Sequence, residues 1–247
     1  MSTDTAYLAA NWAQIRRRVD DACREAGRDP GAVNILPVSK TFGPELIRAA
    51  VGLGLHRFGE NKVQEIRDKA PLLADCGIAW VMIGHLQTNK VKDVARLASE
   101  VQSLDRLELA EALDRRLQHE GRAIDVLVQV KTSSEPSKYG LPPEQLDGFL
   151  DTLRGYDTLR VRGLMTLAIQ STDPAEVRGC FRLLRELRDR AIAQGHDIPR
   201  LSMGMSGDFP LAIAEGATEV RIGTAIFGSR SYPDSHDWPE TPAGNPG

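Results

Sequence analysis

The sequence predicts an α/β fold, a (β/α)8 barrel of the TIM type with an extra N-terminal helix. Three observations lead there. Eight short apolar runs alternate with helical segments through most of the chain. Strands alternating with helices imply βαβ units and a parallel sheet. The length, 247 residues, suits a closed barrel, which commonly takes about 250 residues as one domain. No linker-like stretch interrupts the alternation. An open, doubly wound sheet is the competing arrangement.

The first element reads as a helix. Leu8, Trp12, Ile15, Val19, Ala22 and Ala26 recur at three- and four-residue steps. Asp4 or Thr3 can cap its start and Gly27 can end it. Its other face, with Arg16, Arg17, Arg18, Asp20 and Asp21, reads as solvated. The eight apolar runs follow: 33–38, 55–58, 79–83, 100–103, 124–130, 160–165, 200–203 and 218–222. Several are nearly continuous and β-branched, as strands buried on both faces should be. Amphipathic segments lie between them at 44–53, 61–73, 105–120, 143–153 and 174–194. Three of these start on proline, which the first helical turn accepts because its N–H is not needed there. One domain is expected over 1–231. Residues 232–247, rich in Pro, Gly, Asp and Ser, are expected to form a flexible tail.

Composition narrows the function classes. A net charge of −3 and no long basic run give no electrostatic case for nucleic acid. The N-terminus lacks the basic start and continuous apolar run of a signal peptide. No stretch reaches the roughly 18 apolar residues that span a membrane. Cys23, Cys76 and Cys180 are scattered, without metal-like spacing. A cytoplasmic monomer is expected, with no metal and with the first helix capping its own barrel.

In such a barrel the active site sits at the C-terminal ends of the strands. The first run, VNILPVSK, ends on Ser39 and Lys40. A lysine there either reaches solvent or stands at the barrel mouth beside low-dielectric walls. Burial disfavours an ammonium, and a neutral amine is what forms a Schiff base with a carbonyl. After the seventh run, Gly204, Ser206 and Gly207 make a short turn before a helix starting near Asp208. After the eighth, Gly223 and Thr224 open another short helix. Such turns present backbone N–H groups that favour phosphate, and this fold often binds phosphate after strands seven and eight. Arg221 interrupts the apolar eighth run. A buried guanidinium needs a partner, either a neighbouring carboxylate or a ligand. Asn61, His85, Lys131, Lys138 and Met165 fall on the same rim. His85 alone reads as a structural histidine, and Met165 as packing.

Seven stretches resemble the pyridoxal phosphate homeostasis proteins, single-domain relatives of the alanine racemase N-terminal barrel. They are PVSKT (37–41), FGENKVQE (58–65), IGHLQTNK (83–90), SKYG (137–140), RGLMT (162–166), LSMGMSGD (201–208) and VRIGTAIFG (220–228). The resemblance implies a pyridoxal 5′-phosphate cofactor held as a Schiff base on Lys40. It implies phosphate contacts from Ser206, Gly223 and Thr224. It places Arg221 at the pyridine nitrogen and Asn61, Met165, Ser202 and Met203 around the ring. Some members have a second lysine two residues after the Schiff-base lysine; this chain has Phe42 there. Lys138 keeps its place in SKYG as a residue for cofactor transfer.

A Schiff-base lysine does not by itself make an enzyme. Electron-sink chemistry is strongest with a protonated pyridine nitrogen, whereas an arginine only donates. Racemases of the alanine type also use a second base from an additional domain, and no such domain follows the eighth run here. The sequence therefore favours a non-catalytic protein of pyridoxal phosphate homeostasis, delivering the cofactor to apo-enzymes. A weak amino-acid racemase is the alternative. A cofactor-free class I aldolase and a purely structural barrel remain further readings.

Overall fold

The computed structural model describes residues 3–135 and 139–228, apart from the side chains of residues 3–5. The expected tail over 232–247 and Lys138 lie outside the described residues.

All eight expected strands are present: β1 Asn34–Pro37, β2 Arg57–Glu60, β3 Ala79–Met82, β4 Ala98–Leu104, β5 Ile124–Gln129, β6 Leu159–Met165, β7 Arg200–Ser202 and β8 Glu219–Ile222. They form one parallel sheet in the order β1-β8-β7-β6-β5-β4-β3-β2. The two ends meet above β1. Val38 bridges Gly59, and the Ser39 N–H donates to the Gly59 carbonyl at 3.0 Å. The sheet is therefore a barrel and not an open doubly wound layer.

The helices are α1 Thr3–Glu25, α2 Pro44–Val51, α3 Val63–Leu72, α4 Val91–Leu97, α5 Leu107–Glu120, α6 Leu146–Leu153, α7 Pro174–Ala193, α8 Phe209–Ala214 and α9 Thr224–Phe227. In α1 the apolar stripe is inward: Leu8, Ile15, Val19 and Cys23 are buried. Gly27 stops the helix at φ +66°, a left-handed conformation that costs glycine little. The helix packs beside α2, α8 and α9. Tyr7 and Asn11 donate to the Phe227 and Ile226 carbonyls of α9, each at 3.0 Å. Its Arg16 pairs with Asp20 at 3.1 Å, and Arg18 lies over the Phe209 ring.

The helix-facing layer is mostly apolar, from Val33 to Phe227, apart from a buried charged cluster of Glu60, Glu65 and Lys69 between β2 and α3. The barrel interior is not. Arg57, Arg200, Glu100 and Glu219, near the strand starts, form a ring of ion pairs at 2.5–3.3 Å. Gln102 donates to Glu100 and Glu219, and Ser202 joins it one layer higher. Barrels of this kind usually fill these layers with branched apolar side chains. Burial alone would raise Glu219, but the Arg57 and Arg200 guanidiniums outweigh it and hold that carboxyl below its usual range.

Candidate functional site

A cavity of about 530 Å³ opens at the C-terminal mouth of the barrel. That size suits a small-molecule ligand. The loops after β1, β2, β3, β7 and β8 contribute Lys40, Asn61, His85, Ser206, Gly223 and Thr224, and Arg221 reaches it from within β8. These residues span 184 positions of sequence yet share one site because every parallel strand ends at the same rim.

Lys40 is not on a strand. β1 stops at Pro37, and Lys40 lies half-buried in the turn that follows. The turn is unusual: Thr41 is the one non-glycine residue with positive φ among the described residues, at +68°. A β-branched residue rarely accepts that conformation, so its surroundings must impose it. Phe42, where some relatives have a lysine, is buried against the Phe227 ring at 5.2 Å.

Arg221 is 4% exposed and spends its fork on the barrel interior. It donates to the Ser202 carbonyl at 2.7 Å, the Ser202 hydroxyl at 2.8 Å and the Thr166 carbonyl at 2.7 Å. Neither sequence alternative is complete: among the described residues its hydrogen bonds go to Ser202 and Thr166 and not to a carboxylate, although Glu219 lies two residues earlier on the same strand face. Burial pushes Arg221 down to about 10, partly offset by the charges of Glu219 and Asp208. It stays charged near neutrality.

Met165, Ser202 and Met203 are fully buried and do not line the cavity. They lie below it. Ser202 acts at one remove, linking Arg221 to Gln102 and Glu219. Ser206 and Thr224 do line it, each on a short turn. In the first turn, Asp208 accepts from the Met205 N–H at 2.5 Å and fixes the loop. In the second, Gly223 caps α9, and a Cβ there would stand 3.3 Å from the Val38 carbonyl.

Sequence reasoning placed His85 on the rim as a structural histidine and missed Tyr139, Gln129 and Gln170. His85 stacks on Tyr139 with ring centroids 4.0 Å apart and an 18° tilt, and both line the cavity. Gln129 and Gln170 also line it. Gly84 brings the His85 turn onto Asn61: a Cβ there would sit 2.0 Å from the Asn61 carbonyl oxygen. Among the described residues no Asp or Glu lines the cavity, while Lys40 and Arg221 do. An amine, a guanidinium and two hydroxyls, with no carboxylate, suit an anionic ligand that carries a carbonyl. Among the described residues no group of three acids, histidines or cysteines could hold a metal, and no helix is long and apolar enough to cross a membrane.

Residues 3–231 match the family model for the alanine racemase N-terminal domain. The pyridoxal phosphate homeostasis protein of Aquifex aeolicus is 42% identical over 221 residues, 89% of this chain and 97% of the relative. That of Pseudomonas aeruginosa is 40% identical over 225 residues, 91% and 96% respectively. Among solved structures, PipY of Synechococcus elongatus with pyridoxal phosphate bound superposes with a TM-score of 0.79 at 34% identity, covering 90% of this chain and all of PipY. Alanine racemase of Streptomyces coelicolor shares the fold, with a TM-score of 0.69 at 19% identity, and this chain covers 58% of it. The chain belongs to the pyridoxal phosphate homeostasis protein family, built on the alanine racemase N-terminal barrel.

Proposed function

We propose that this protein binds pyridoxal 5′-phosphate through a Schiff base on Lys40 and serves intracellular homeostasis of that cofactor by handing it to apo-enzymes. The observation that carries the reading is the charge of the cavity: among the described residues, Lys40 and Arg221 line it and no carboxylate does. In the attachment, the Lys40 amine condenses with the cofactor aldehyde and one water leaves; hydrolysis reverses it. Ser206, Gly223 and Thr224 take the phosphate on the side of the β7 and β8 turns. Arg221 faces the pyridine nitrogen and, as a permanent donor, leaves that nitrogen unprotonated. Bound to an enzyme, the cofactor serves as an electron sink; the donor at this site weakens that property and favours storage. Asn61 flanks the ring, Met165 and Ser202 support the floor and Arg221, and Met203 packs behind them in the helix-facing core. Lys138, a transfer residue in this account, lies outside the described residues.

A transfer assay tests the function. The loaded protein is mixed with an apo-enzyme that needs pyridoxal phosphate, beside a phosphatase that destroys free cofactor. Recovery of enzyme activity with loaded wild type, and not with Lys40→Ala, supports delivery. Recovery no faster than with free cofactor overturns it. Turnover of D- or L-alanine that disappears in Lys40→Ala would support the racemase reading instead.

A further inference from the structure

One buried cluster is not used by the site as described. Lys69 of α3 is 1% exposed at its side chain, yet it is a lysine. An ammonium has three protons to donate. Lys69 places them on three acceptors: the Ser39 carbonyl at 2.9 Å, Glu60 at 2.8 Å and Glu65 at 2.7 Å. Glu65 also accepts from the Thr41 N–H at 2.6 Å. Glu60 also accepts from the Ser39 hydroxyl at 2.7 Å. These bonds have a common target. The Ser39 carbonyl belongs to the peptide group before Lys40, and the Thr41 N–H to the peptide group after it.

We propose that Lys69, Glu60 and Glu65 form a positioning unit that grips both peptide groups flanking Lys40 and so sets where the Lys40 amine stands in the cavity. Two further features support it. A buried ion cluster is poor value as a stabiliser, because well-packed apolar residues are often as good or better; its retention points to a geometric role. The left-handed Thr41 also needs an external hold, since a β-branched residue rarely accepts that conformation, and the Glu65 bond to its N–H supplies one. The chain of contact runs from the helix side of β2 through the Lys40 turn to the cavity. The inference rests on Lys40 being the attachment point.

The test uses full-length Glu65→Gln and the double variant Lys69→Met with Glu65→Gln. The double variant leaves one buried acid, Glu60, rather than two unpaired carboxylates. Apo-protein of each is mixed with pyridoxal phosphate, and the visible band is followed in time. A misplacement of about 1 Å in a reacting group can cost on the order of a hundredfold. The proposal predicts that the double variant still melts cooperatively, forms its adduct at least roughly tenfold more slowly and shows a displaced band. A folded double variant with the wild-type rate and band overturns it. Amide hydrogen exchange on the wild type gives a second reading without any variant. Thr41 exchanging as slowly as the core strands supports the grip; Thr41 exchanging like an open loop overturns it. Borohydride reduction and peptide mapping of the wild type separate the two ideas. An adduct elsewhere than Lys40 sinks the attachment, whereas an adduct on Lys40 with unchanged variant kinetics sinks only the positioning unit.

Discussion

Glu60 should make the protein less stable as pH rises through neutrality, opposite to the effect of a salt-bridged surface acid. Burial lifts this carboxyl from 4.5 to about 7, against the pull of Lys69 and with the push of Glu65. In the unfolded chain it releases its proton near the ordinary value. Between those two pH values the folded state therefore holds one more proton than the unfolded state, and stability falls as pH rises. Below about pH 4.5 both states are protonated and the penalty vanishes; above about pH 7 it is complete. The gap is about 2.5 pH units, worth roughly 3 kcal/mol at about 1.4 kcal/mol per unit. Glu60→Gln keeps the shape and an acceptor oxygen but cannot titrate. Urea unfolding of both proteins across pH 4.5–8.5 isolates the term, because groups common to both cancel. The stability of the variant relative to wild type should climb by roughly 3 kcal/mol up to about pH 7.5 and then level off. A difference flat to within about 0.5 kcal/mol would mean that Glu60 titrates as an ordinary acid, and the reasoning would fail.

Other perturbations follow from the same geometry. Gly84→Ala forces a Cβ to 2.0 Å from the Asn61 carbonyl; pyridoxal phosphate affinity measured by fluorescence quenching should drop at least roughly tenfold as Asn61 is displaced. Arg221→Met strips the Thr166 carbonyl of its guanidinium donor and leaves the Ser202 carbonyl with the Thr166 N–H, and should cost about 2–4 kcal/mol in urea unfolding. Ser206→Ala combined with Thr224→Val should leave stability within about 0.5 kcal/mol, since neither residue is buried. The same pair should weaken pyridoxal phosphate binding by roughly tenfold or more at equilibrium dialysis, because hydrogen bonds to a charged group are worth about 1.5–3 kcal/mol.

The strands were legible because a barrel strand is covered on both faces, so several read as nearly continuous apolar runs. β5, with five of its six residues buried, is the clearest case. The register of short elements was less legible. β4 begins at Ala98, two residues before the expected start, because an alanine and a serine carry little strand preference and the sheet alone recruits them. α4 follows from the alternation but was not picked out from its own residues: seven carry too few turns for periodicity to show. In the site, the residues after β7 and β8 were found from glycine-rich turns at strand ends. The cluster behind Lys40 was not. Glu65 and Lys69 stand four apart on a helix, the spacing of a solvent-exposed pair. Only the packing of α3 against β2 turns that pair inward, toward Glu60, which lies past the expected run 55–58 and ends β2 in the structure. Ser202 and Met203 were placed beside a ring by resemblance. Strand alternation takes one inward to Arg221 and the other into the helix-facing core, so neither meets the cavity.

The account turns on Lys40, and one measurement reaches it directly. The purified protein is loaded with pyridoxal phosphate, its visible spectrum recorded, the sample reduced with borohydride and the peptides mapped by mass. Attachment through Lys40 predicts a visible band that reduction abolishes and a pyridoxyl group on the peptide containing Lys40. A loaded protein with no adduct, or with its adduct on another lysine, would contradict it.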